Sequence, residues 1–323
     1  MPVSSQRSAP NPDRVNGAGI AATAEYEAGP FSAWRKRMVP VLFILPGLIL
    51  SAFIIIYPVW ELIQTSLRKV TRFGKVTGLN DFANFEAVFS DTLFQEAAVR
   101  SVWWTLLVVG GTLICAAGIA LILNEKFHGR AIARVIIMLP WSVSLSLLTV
   151  VWRWALNGET GYLNHLLEQL GIIDGPVVWL ASGSTAFTVM ILIGIIVSIP
   201  FTTTIFLGGL SSLPGDLYEA ARMEGASHWH CFRTITVPMM QPYVNIAIVL
   251  NVIYVFNSFP IIWILTEGGP ANSTDILVTY LYKIAFKYGK LGEASVVSLL
   301  MFVFLLAFAA LYLRLVSKDP ANA

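Results

Sequence analysis

Charge is scarce in this sequence: Asp, Glu, Lys and Arg make up 12% of its 323 residues, against about 25% in an ordinary soluble domain. That shortage excludes a free globular domain with a water-facing surface. The net charge of +2 says little about partners, and the basic residues do not gather into a nucleic-acid footprint. Cysteine is equally sparse, with two in all. Cys115 lies in an apolar run and Cys231 in a polar linker, so neither a disulfide framework nor a metal quartet is suggested and both read as unpaired thiols.

Catalytic patterns are missing too. There is no GxxxxGK[ST] phosphate loop, no HExxH, no Ser/His/Asp constellation and no group of acids inside the apolar runs. The four histidines, His128, His165, His228 and His230, all fall outside those runs. His228 and His230 are two apart, a spacing that suits neither one helix face nor one metal ion. The expectation is a chain that is not an enzyme and holds no metal or cofactor of its own.

What the chain has instead is apolar sequence: 56% hydrophobic residues and a mean hydropathy of +0.70. A helix needs about 20 apolar residues to cross about 30 Å of hydrocarbon. Six runs qualify, at residues 38–57, 102–123, 135–152, 187–207, 244–265 and 296–315. The fold class expected is therefore an all-α membrane protein with six transmembrane helices, occupying 34–317. Residues 1–33, rich in Ser, Pro, Ala and Gly, read as a disordered cytoplasmic tail, and 318–323 as a short C-terminal one. The first run follows "WRKR" and has full spanning length, so it reads as a retained helix rather than a secretory signal.

Basic residues favour cytoplasmic termini. Arg35, Lys36, Arg37, Lys126, Arg130, Arg134, Arg222, Arg233, Arg314 and Lys318 then lie inside. Arg68, Lys69, Arg72 and Lys75 oppose that orientation. Pro46, Pro58, Pro140, Pro200 and Pro260 sit in or at the ends of the apolar runs, where each removes a backbone donor and bends its helix.

One linker, 208–243, carries a polar helix between two apolar runs. In "LPGDLYEAARMEGA", Pro214 and Gly215 make a turn, Asp216 is placed to cap, and Glu219 follows at capping-box spacing. A helix over 217–224 should end at Gly225, and Ser227 should cap a second turn over 228–233. Ala220, Ala221, Gly225 and Ala226 let another surface approach closely, while Glu219, Arg222 and Glu224 offer directional charge. Read from these residues alone, the segment is either a docking knob or a solvated connection.

The pattern Glu219-Ala220-Ala221, Gly225, Ile235, Pro238 resembles the cytoplasmic signature of binding-protein-dependent ABC importer permeases. Its place, before the penultimate membrane helix, is similar as well. "GLNDFANF", "NGETGYLNHLL" and "WILTEGGPANSTDILVTYLYKIAF" resemble the carbohydrate branch, the maltose-type permeases, and within it the SugA-type permeases of trehalose importers. Unlike some maltose-type members, this chain has only the six-helix core, with no large outer domain. The resemblance implies a type I ABC importer fold in a bacterial inner membrane. It also implies a homologous second permease subunit, two ATPase subunits that bind ATP and Mg, and an extracytoplasmic sugar-binding protein. Residues 217–234 would form the coupling helices, with Glu219, Ala220, Ala221, Arg222, Glu224 and Gly225 meeting an ATPase.

A sugar path calls for neutral hydrogen-bonding groups and aromatic faces. Asn251, Tyr254, Asn257 and Ser258 follow helical spacing, with 251, 254 and 258 on one stripe; Gly194, Ser198 and Phe201 form a similar stripe beside Pro200. The resemblance implies that these two helices line the sugar site. The alternative for the asparagines is hydrogen bonding between helices. An ion-coupled secondary transporter is the alternative function, weakened by the lack of titratable groups in the runs. At the outer side, Trp152 and Trp154 read as interface anchors, and Arg153, Glu159 and "TEGGPANSTD" as contacts for headgroups or for a binding protein.

Overall fold

The structure, a computed structural model, describes residues 30–317. The expected tail at 318–323 and most of that at 1–33 lie outside the described residues. Helix α1 begins at Pro30, slightly before the expected boundary, and runs to Ser66. The chain divides at Pro58 into two compact units. The first is the apolar length of α1 up to that proline. Its side chains from Met38 to Tyr57 are exposed, as lipid-facing or partner-facing residues would be.

The second unit starts at Val59. A short antiparallel hairpin, β1 (Arg68–Val70) and β2 (Val76–Leu79), precedes α2 (Ala83–Ser90) and the long α3 (Thr92–Asn124). Then come α4 (Arg130–Ser142), α5 (Leu145–Ala155), α6 (Tyr162–Gln169) and α7 (Gly183–Ser212). The linker holds α8 (Gly215–Met223) and α9 (His228–Cys231), and a π-helical stretch Phe232–Thr236 leads into α10 (Val237–Phe256). After α11 (Phe259–Thr266) and α12 (Leu277–Tyr282), a second π stretch Lys283–Lys287 precedes α13 (Leu291–Ser317).

Among the described residues, five helices are long and apolar enough to cross a membrane, and α4 with α5 makes a sixth only if that pair is one span bent by 93°. The single run expected over 135–152, bent at Pro140, is thus resolved into two helices. Pro140 cannot donate within α4, Val143 is extended, and Ser144 restarts the chain by accepting from the Leu147 amide at 3.2 Å.

The core forms where α3 and α7 pack on each other and on α10. Trp104, Val108, Met190, Ile193, Val255 and Ile262 are buried there. A side chain at Gly194 would stand about 3.0 Å from Val108 and 3.1 Å from Trp104, so glycine lets α3 and α7 approach this closely. The fifth apolar run breaks at Asn257 and Ser258. Pro260 has no N–H to offer the Phe256 carbonyl, so α10 stops and α11 begins with the proline in its first turn. The Val255 carbonyl at this break accepts from the Trp104 indole at 2.9 Å, which fastens α10 to α3.

On the side expected to be outer, α12 is pinned to the start of α3. The Leu277 amide donates to Ser101 Oγ at 2.7 Å, Arg100 Nε to the Asp275 carbonyl at 3.0 Å, and the Tyr280 hydroxyl to Asp91 Oδ2 at 2.6 Å. Burial and the Asp91 carboxylate push the Tyr280 hydroxyl well above its ordinary pKa, so it stays a donor. The "TEGGPANSTD" turn folds over a buried ion pair, Lys283 Nζ to Asp275 Oδ2 at 2.6 Å, and the same ammonium reaches Asn272 Oδ1 at 2.8 Å.

Removing one partner of such a pair strands a charge, whereas replacing both removes the need for pairing. Lys283→Met should therefore destabilise the protein by about 3 kcal/mol, while Lys283→Met with Asp275→Leu recovers most of the loss. Thermal unfolding of the three proteins in one detergent checks this. A double variant no better than the single would contradict it.

Candidate functional site

The linker 208–243 is a helix–turn–helix presented outward. Helix α8 starts at Gly215 with Pro214 as its N-cap and no side-chain cap bond. The expected capping role of Asp216, and with it the capping box, is corrected: Asp216 lies inside the first turn, where its carboxylate faces the positive end of the helix dipole. The other end follows the sequence. Gly225, at φ +84°, donates to the Arg222 carbonyl at 3.0 Å and Ala226 to the Ala221 carbonyl at 2.9 Å, the paired bonds of a Schellman stop. Ser227 Oγ then accepts from the His230 amide at 3.3 Å and caps α9.

Glu219, Ala220, Arg222, Glu224 and Gly225 are exposed, and Ala221 is half-buried. Glu219, Arg222 and Glu224 make no ion pair among the described residues. Beside them stand apolar side chains that belong in no solvated loop: Met223 is 90% exposed, Trp229 69% and Leu217 43%. Sequence reasoning passed over these three. Their signal was large apolar residues in a polar linker, the make-up of a protein-binding face.

Among the described residues, one side-chain hydrogen bond links the inner face of α8 to the chain beyond the linker turn. Tyr218 shares a 2.9 Å hydrogen bond between its hydroxyl and that of Thr236. A cavity of about 380 Å³, reached by Asn124, Glu125, Arg222 and His228, opens between the linker and the ends of α3 and α7. Helix α8 is therefore tethered to the base of α10 rather than packed all along the bundle. From His228 the chain then runs helically without a break to Phe256.

The six residues expected on a sugar path, on two helices, differ in exposure. Ser198, Asn251 and Ser258 are buried, Phe201 is half-buried, and Tyr254 and Asn257 are exposed. The expected stripe of 251, 254 and 258 is corrected at Tyr254: Asn251 and Ser258 are buried, whereas Tyr254, in the same unbroken helix as Asn251, is exposed. Asn251 Nδ2 donates to Thr202 Oγ1 at 2.9 Å and to the Ala247 carbonyl at 2.8 Å, the interhelical bonding that was its alternative role. Ser198 donates back to the Gly194 carbonyl at 2.8 Å. Phe201 stacks on Trp141 with ring centroids 5.9 Å apart. Asn257 bonds the Ile253 carbonyl at 2.9 Å through its amide nitrogen. Ser258 Oγ is buried without a hydrogen-bond partner.

Known proteins give this geometry its context. Residues 110–319 match the family described as "Binding-protein-dependent transport system inner membrane component". A "Probable ABC transporter permease protein" of Brucella suis biovar 1 is 58% identical over 89% of this chain and 100% of its own length. The "Trehalose/maltose transport system permease protein MalF" of Thermococcus litoralis is 33% identical over 87% of this chain and 94% of its own. In three dimensions, a chain from a bacterial alginate ABC transporter, solved in complex with its alginate pentasaccharide-bound periplasmic protein, is similar at a TM-score of 0.72. That match has 21% identity and covers 87% of this chain and 94% of the other. With its run of apolar helices, its exposed Glu-Ala-Ala helix and its ABC importer permease fold, this chain belongs to the binding-protein-dependent inner-membrane transport components.

Proposed function

We propose that this chain is one of two permease subunits of an ATP-driven importer that carries a sugar inward, a disaccharide such as trehalose being the substrate favoured. The single observation that carries the reading is the exposed α8, tethered through Tyr218 to Thr236 and so to the helix bearing Asn251. Partner ATPase subunits bind ATP and Mg and close on one another. Their motion reaches α8 through Glu219, Ala220, Ala221, Arg222, Glu224 and Gly225, and the membrane helices rock about a midplane site. The termini and the linker 208–243 lie in the cytoplasm, as most of the basic residues favour. An extracytoplasmic binding protein delivers the sugar at the other side.

The choice of sugar draws support from the relative named for trehalose and maltose and from the alginate transporter, both of which handle glycans. Neutral chemistry fits as well. Ser198, Asn251 and Ser258 lie in apolar spans and carry no charge to repel or trap a sugar, while Tyr254 and Asn257 are exposed and free to be met by a second subunit.

Glu219→Ala in the assembled complex should leave the isolated ATPase subunits unaffected. Sugar-stimulated turnover should fall tenfold or more, as expected when a charge-assisted hydrogen bond of about 1.5–3 kcal/mol is lost. Unchanged uptake would remove Glu219 from the coupling contact. Asn251→Leu gives up the bond to Thr202, whose hydroxyl still donates to the Ser198 carbonyl at 3.0 Å, so assembly should survive while uptake slows severalfold. Normal transport kinetics would leave Asn251 a purely structural role.

A further inference from the structure

Arg68, Lys69, Arg72 and Lys75, the residues that oppose the favoured orientation, all belong to the β1–β2 hairpin and its turn. None of them makes an ion pair among the described residues. Arg68 bonds the neutral Gln64 side chain at 2.6 Å. Lys69, Arg72 and Lys75 are exposed, and Phe73 between them at the tip is 93% exposed. The four share one short hairpin and its turn, and exposed charges act together on an approaching partner over a Debye length of about 10 Å at 0.1 M salt.

The hairpin is braced. Asn84 Nδ2 donates to the carbonyls of Ser66 at 2.7 Å and Arg68 at 3.1 Å, and Asn80 Nδ2 donates to Asn84 Oδ1 at 2.8 Å. Gly289 lies so close to the Arg72 side chain that any Cβ there would collide with it. The hairpin thus joins the end of α1 to the segment that begins α13. Between them opens a cavity of about 350 Å³ with Lys69, Thr71, Thr77, Asn80 and Lys290 on its walls. Glu293, its one acid, is held by Lys290 at 3.0 Å.

We propose that this hairpin and its notch dock the extracytoplasmic solute-binding protein, through an acidic edge on that protein and with Phe73 as an apolar anchor. The inference rests on the importer reading and adds to it a surface and a charge rule. Unpaired exposed cations steer an oppositely charged partner and set its on-rate. Anionic lipid headgroups would also answer the cations. The neutral groups of Thr71, Thr77 and Asn80 in the notch, and the brace of the hairpin by Asn84 and Gly289, suit protein side chains that must hold one register.

The test uses the whole complex in nanodiscs, with ATPase activity followed as purified binding protein is titrated in. Lys69→Glu, Arg72→Glu and Lys75→Glu together should raise the half-saturating concentration about tenfold or more and abolish the loss of affinity with salt that the parent shows. The matching glutamine triple should fall between, and decides the matter if the charge-reversed protein fails to assemble. Half-saturation and salt dependence equal to the parent's would overturn the proposal. So would a shift that follows the phosphatidylglycerol content of the nanodisc instead of the binding protein. A parent complex that binding protein never stimulates would instead bring down the importer reading itself.

Discussion

The hydrogen bond between Tyr218 and Thr236 is the point on which the structure's mechanical logic turns. It ties a nine-residue exposed helix to the foot of a helix that continues into the bundle, beside a cavity of about 380 Å³. A push on α8 passes first to α10. Along α10 it reaches Asn251, bonded to Thr202 on α7, and then Val255, whose carbonyl holds the Trp104 indole on α3. Three membrane helices are thereby joined by directional bonds in an apolar interior, where leaving such groups unpaired is costly.

The helix breaks give that bundle its joints. Between Pro140 and Leu145 the chain turns so that α4 and α5 meet at 93°, and Pro260 separates α11 from α10. Non-helical backbone at membrane depth is tolerated only where protein or a water-filled cavity satisfies it. The indole bond at Val255 meets that condition, whereas the unpartnered Ser258 hydroxyl marks a polar group still open beside the second break. At the opposite end, the Asp275–Lys283 pair holds the turn before α12, and the Tyr280–Asp91 bond fixes α12 on the start of α3.

Much of this was legible in the sequence. Apolar length alone located the spans, because hydrocarbon thickness dictates it. Gly225 and Ser227 foretold their turns, since left-handed stops and hydroxyl caps are local chemistry. Asp216 misled because two neighbouring positions could start the helix and Pro214 took the cap. The stripe through Asn251, Tyr254 and Ser258 failed for a different reason: spacing gives a shared direction on a helix but not which neighbours cover it, and Tyr254 is left exposed while Asn251 and Ser258 are buried. Asp275 and Lys283 could not be paired in advance, because their meeting depends on a turn and a π-helical stretch that no period announces. Leu217, Met223 and Trp229 were visible as letters, and only their exposure gave them meaning.

The most direct measurement places a photo-cross-linking side chain at Met223, the most open apolar residue of α8, in inside-out membranes containing the whole complex. Capture of an ATPase subunit, in a yield that changes when ATP is added, is the predicted result. Capture of lipid alone, or reaction of this position with an impermeant reagent supplied only from the outer side, would contradict the account.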